Sequence, residues 1–116
     1  MKLIELTGGH SQTEPIAKLY LGERAQVMEL RLPSGGVIPA HRHDGDEVVL
    51  FPEEGTCRLN VDSEAVVLCP GKLFCSDGAH EFVLSNEGQG EFRALAILIQ
   101  SELPRVGKPS VIPLSS

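Results

Sequence analysis

Glycine, proline and acidic turn signals interrupt this chain every few residues, so no apolar-periodic stretch between them is long enough for a substantial helix. What fits between the turns is strand. From Ala25 to Leu32 the residues alternate, with Met28, Leu30 and Leu32 on one face and Val27, Glu29 and Arg31 on the other, the pattern of a half-buried strand. Apolar runs at 48–51, 56–61, 65–68, 73–75 and 80–84 follow, separated by turns at 33–36, 52–55, 62–64, 69–72 and 85–90. Residues 92–99 are apolar almost throughout, as in a strand covered on both faces. Residues 1–6 alternate enough to form a first strand, and residues 16–22 fit either a strand or a helical turn. About nine to eleven short strands result, and they imply an all-β double-sheet jelly roll, also called a double-stranded β-helix.

One stretch carries chemistry. In an extended His41-Arg42-His43, the two imidazoles project to the same side and Arg42 to the other. Asp44-Gly45-Asp46 reads as a turn that returns Glu47 toward them on the next strand, so that three donors converge. Val49 and Phe51 alternate with Glu47's side and would wall the site with apolar surface. His80 follows a second turn, Ser76-Asp77-Gly78-Ala79, and opens the run 80–84, where it can supply a fourth donor with Phe82 and Leu84 lining the same cavity. A His-x-His alone is often a pair of exposed or satisfied histidines. Glu47 and the distant His80 together favour a metal site. Three imidazoles and a carboxylate suit Fe(II), Mn(II), Ni(II), Zn(II) or Cu(II) without choosing among them.

At these residues the sequence resembles the cupin superfamily, whose first motif has the form G(X)5HXH(X)3-4E(X)6G. Gly35, His41, His43 and Glu47 match its spacing, and Gly55 comes one residue later than the pattern asks. The second motif, G(X)5PXG(X)2H(X)3N, is met by Gly71 and His80, with Asp77-Gly78-Ala79 in place of Pro-x-Gly and Asn86 two residues further along. Motif 1 thus spans about 35–55 and motif 2 about 71–86. The resemblance implies the same barrel, with the first motif on a hairpin, His80 facing it across the barrel mouth, and all four ligands inward.

A chain of 116 residues reads as one domain, 1–116, able to bury a core without disulfides. Its net charge of −6 and lack of any basic cluster argue against nucleic acid or an anionic membrane as partner. Cys57, Cys69 and Cys75 form no CxxC pair and no apolar run approaches membrane-spanning length, so a reducing cytoplasm is the expected compartment. Cys69 and Cys75 read as small core residues, though Cys75 could face the pocket. Glu29 and Arg93 read as solvent-exposed, and His10, in the polar loop 7–15, as a solvated loop residue. The tail 101–116 carries Pro104, Pro109 and Pro113 and should lie extended along the barrel or a partner subunit. Sheet edges and this tail make a homodimer the expectation.

The leading functional expectation is a metal-dependent enzyme on a small organic substrate, best fitted to an Fe(II)-type dioxygenase. His41, His43 and His80 would be neutral nitrogen ligands, Glu47 a charge-balancing ligand or general base, and Val49, Phe51 and Phe82 a water-excluding wall. A non-catalytic small-molecule, metal-binding or sensor module competes with it, because few acid/base groups lie outside the proposed ligands. An isomerase or lyase using the metal as a Lewis acid is the third class.

Overall fold

Alternation along each strand, and the turns that set its parity, decide which side chains reach the core. The structure, a computed structural model, describes residues 1–6 and 14–101. These form β1 Ile16–Leu21, β2 Ala25–Leu32, β3 Val37–His41, β4 Asp46–Glu54, β5 Cys57–Val61, β6 Glu64–Leu68, β7 Phe74–Asp77, β8 Phe82–Ser85 and β9 Phe92–Gln100. All pairings are antiparallel, in a five-stranded sheet ordered β1-β2-β9-β4-β7 and a four-stranded sheet ordered β3-β8-β5-β6. One hydrophobic core joins the two sheets. The fold is therefore an all-β double-stranded β-helix, with no helix among the described residues.

β9 is the middle strand of the larger sheet and sends Phe92, Ala94, Ala96 and Leu98 inward. Register carries that choice sideways, because directly paired residues share a face. Leu98 pairs with Val48 and Ala96 with Leu50 on β4, while Ala96 meets Met28 and Ala94 meets Leu30 on β2. The other face is fixed by the same ladder. Arg93, Leu95, Ile97 and Ile99 point out of the barrel, and beside them lie Phe51, Val49 and Glu47 of β4. Each inward aliphatic or aromatic side chain contributes about 1.5–3 kcal/mol by burial, which locks this parity.

Residues 1–6 form no strand. Their alternation is real, but a strand needs a ladder partner, and Leu3 stands almost fully exposed. Glu29 is not exposed either. It is fully buried on the outer face of the larger sheet, with Arg31 Nε 3.5 Å and Arg93 Nη1 3.8 Å from its carboxylate. His10 and residues 102–116 lie outside the described residues.

Candidate functional site

The site starts from a strand irregularity. Ile38 points inward and pairs with Leu84, and uninterrupted alternation would then put Ala40 inward and His41 out. The register between β3 and β8 shifts between Ile38 and His41, so that His41 pairs with Phe82 and turns into the barrel. Pro39 sits in that shift, a position a residue without a backbone N–H tolerates. His41 Nδ1–H donates to the Pro39 carbonyl at 2.8 Å, and because a carbonyl only accepts, the lone pair of a neutral His41 ring is on Nε2.

His43 follows on the same side, its ring centroid 4.8 Å from that of His41 in an edge-on arrangement. Its backbone is clamped, with the N–H donating to the Gly78 carbonyl at 3.0 Å and the carbonyl accepting from Asp46 N–H at 3.0 Å. That second bond closes a turn centred on Asp44 and Gly45, where Gly45 takes the φ of +89° that such a turn requires. Burial and the neighbouring His41 hold the His43 imidazole below its ordinary pKa, while Asp46 opposes the shift. His43 is thus a neutral ring at neutral pH, with a lone pair to offer.

Both imidazoles border a cavity of about 340 Å³ inside the barrel. The rest of its lining is apolar, including Met28 and Leu30 of β2, Val48 and Leu50 of β4, Phe82 of β8 and Leu98 of β9. Val48 is 4% exposed and Phe82 2% exposed, so both are fixed parts of the wall.

The four-donor arrangement expected from the sequence does not assemble. The turn uses only Asp44 and Gly45, so Asp46 is already the first residue of β4 and Glu47 falls on the outward parity, exposed between Ile99 and Asp77. Val49 and Phe51 go with it, and Phe51 is 47% exposed on the outer surface. Turning Glu47 inward would require a one-residue slip of β4 that expels Val48 and Leu50 from the core. His80 precedes β8 rather than opening it, and its ring is held outside the cavity. Nδ1–H donates to Asp62 Oδ2 at 2.8 Å, and Nε2 lies 3.5 Å from Asp77 Oδ1. Asp62 is brought there by the tight β5–β6 turn, in which its φ is +56°, and it also accepts from Glu81 N–H at 2.9 Å. The bond to Asp62, and then the charges of Asp77 and Asp62, raise the His80 pKa and favour imidazolium, the opposite of what a metal ligand needs. Among the described residues no three His, Cys, Asp or Glu side chains gather closely enough to hold a metal ion. Of the cysteines, Cys75 is exposed, opposite outward-facing Val49, and Cys57 is a core residue whose thiol burial pushes up to about 11.

Phe82, expected as part of the apolar wall, and Val48, which was not expected at the site, are the inward neighbours of the histidine pair. The spacing carried the signal. Placing Gly55 at its proper distance in the first motif puts Val48, not Glu47, at the glutamate position. Counting the second motif from Gly71 to Asn86 puts Phe82, not His80, at the histidine position.

The family model for the cupin domain matches residues 28–98, from β2 to β9. The chain belongs to the cupin domain family. No curated protein matches its sequence. Among solved structures, it is similar to the Schizosaccharomyces pombe Cnp3 cupin domain at 14% identity and a TM-score of 0.70, covering 74% of this chain and 64% of that one, under two thirds of its length. A Thermotoga maritima protein described as a predicted oxalate decarboxylase aligns at 21% identity with a TM-score of 0.68, covering 73% of this chain and 78% of that one. The cupin domain of an XRE family transcriptional regulator from Enterobacter cloacae aligns at 12% identity with a TM-score of 0.69, covering 75% and 96%. At these identities the likeness shows the shared fold. Cupin barrels often bind a metal, but among the described residues the donors do not complete such a set, since Glu47 faces out and His80 is turned to carboxylates.

Proposed function

We propose that this cupin domain binds a compact, mostly apolar small molecule whose single polar group is held by His41 and His43. The observation that carries the reading is the cavity itself, an aliphatic and aromatic chamber of about 340 Å³ with the two imidazoles as its polar side chains. Such a combination, a large apolar lining with a few convergent polar groups, is the usual form of a ligand site. With His43 neutral and His41 held to one tautomer, the pair can accept a hydroxyl or acid proton, or on protonation bind an anion. The Fe(II)-type dioxygenase reading rests on the same two imidazoles but needs further donors, and the inward neighbours available are Val48 and Phe82. A binding or sensing role therefore fits better than turnover. The regulator-derived cupin domain among the similar structures is in keeping with it.

The test is a titration with 1-anilinonaphthalene-8-sulfonate, an apolar probe with one anionic group. At mildly acidic pH, where the imidazole pair is protonated and can donate to the sulfonate, saturable fluorescence enhancement is expected, with affinity about tenfold weaker in His41→Ala/His43→Ala, as loss of one charge-assisted hydrogen bond implies. Absence of saturable binding, or equal affinity in the double variant, contradicts the reading.

Assembly is proposed from the opposite surface. Val49, Phe51, Leu95, Ile97 and Ile99 form a continuous apolar area on the outer face of the larger sheet, where a second copy of this chain can cover it. A homodimer is expected in sedimentation equilibrium, and a monomer at micromolar concentration and above contradicts it.

A further inference from the structure

We infer that Val48 and Phe82 stand where a carboxylate and a third imidazole would complete a metal centre with His41 and His43, so that this barrel has an apolar floor in place of that centre. The inference rests on the ligand-site reading above and says what excludes a metal from the same cavity. Three observations support it. Phe82 is the direct cross-strand partner of His41, and its ring centroid lies 6.2 Å from that of His41 and 6.4 Å from that of His43. Val48 lines the same cavity from the facing sheet, at the first fully buried inward position of β4. The motif spacings, counted from Gly35 to Gly55 and from Gly71 to Asn86, arrive independently at the same two residues.

The chemistry is consistent with this placement. Two imidazoles whose centroids are 4.8 Å apart can occupy neighbouring positions on one ion, but two neutral nitrogens alone neither balance a divalent charge nor fill a coordination sphere. A valine and a phenylalanine supply no donor and exclude water from the remaining positions. The same pair gives a ligand aliphatic and aromatic surface beneath its polar group. Two substitutions should therefore convert the cavity into a metal site without moving the backbone, because a glutamate at 48 and a histidine at 82 inherit inward-facing positions.

The experiment compares the parent chain with Val48→Glu/Phe82→His by dialysis against Zn(II), metal analysis, and Co(II) absorption. The parent is expected to retain no stoichiometric Zn(II). The double variant should retain about one ion per chain, lost again when His41→Ala and His43→Ala are both added, and should show the d–d bands of Co(II) with nitrogen and oxygen ligands. Parent protein that holds stoichiometric Zn(II) through His41 overturns the inference, as does a folded double variant that gains none. Burying a glutamate can prevent folding, so circular dichroism is recorded first. If the double variant is unfolded, Phe82→His and Val48→Glu are tested singly, a gain in either supporting the inference and no gain in both overturning it. The sulfonate probe is titrated into the parent separately, so failure of the ligand-site reading is seen independently of the metal result.

Discussion

Gly78→Ala should destabilise the protein by about 3 kcal/mol and weaken probe binding with it. Gly78 is buried between the two halves of the His43 turn, donating its N–H to the Asp46 carbonyl at 2.8 Å and accepting from His43 N–H at 3.0 Å. A Cβ at this position would collide with the His43 carbonyl and stand 2.9 Å from that of Asp46. Backbone on both sides must move, breaking the clamp that orients the His43 ring. Urea unfolding measures the loss as a lower midpoint at unchanged slope. Gly90→Ala is the control, since a Cβ there meets open space and should shift stability by no more than about 0.5 kcal/mol. Equal stability of the Gly78 variant and the parent would contradict the clamp.

Asn86→Ala should cost a similar amount, about 2–4 kcal/mol, by leaving several buried groups without partners. The side chain is 2% exposed. Its amide donates to the carbonyls of Leu32 and Gly90, both at 2.8 Å, and its Oδ1 accepts from Gly88 N–H at 3.0 Å. It thereby ties the end of β2 to the turn between β8 and β9, while its backbone bonds reach Gly35 and Gly36. Asn86→Asp should be at least as damaging at neutral pH, because a carboxylate would face the carbonyl oxygens of Leu32 and Gly90 in place of a donor. Thermal unfolding of the two variants checks both statements. An aspartate variant as stable as the parent would show that the amide donors are dispensable.

The fold was legible wherever one face of a strand was plainly polar. In β2, Glu29 and Arg31 alternate with Met28, Leu30 and Leu32, and both the strand and its inward face follow from that pattern. β4 offers no such contrast, because Val48 and Leu50 suit the core about as well as Val49 and Phe51, and an acidic residue heads each set, Asp46 one and Glu47 the other. Parity then hangs on whether the preceding turn consumes two residues or three. The choice of three drew Glu47, Val49 and Phe51 inward on paper, whereas the ladder to Ala96 and Leu98 of β9 puts them outside. The irregularity that turns His41 inward is equally invisible in Ile38-Pro39-Ala40 until β8 is seen beside it. His80 was misplaced for another reason. Its partner Asp62 is eighteen residues away and reaches it only through the β5–β6 turn, a contact no local pattern announces.

The central claim, that the cavity beneath His41 and His43 is the binding site, is tested most directly by methyl NMR during titration with 1-anilinonaphthalene-8-sulfonate. The methyl groups of Val48, Leu50, Leu84 and Leu98 should shift together and show nuclear Overhauser contacts to the probe, while those of Val49, Leu95 and Ile97 on the outer face stay in place. Contacts confined to the outer-face methyls, with the inner set unmoved at saturation, would contradict the account.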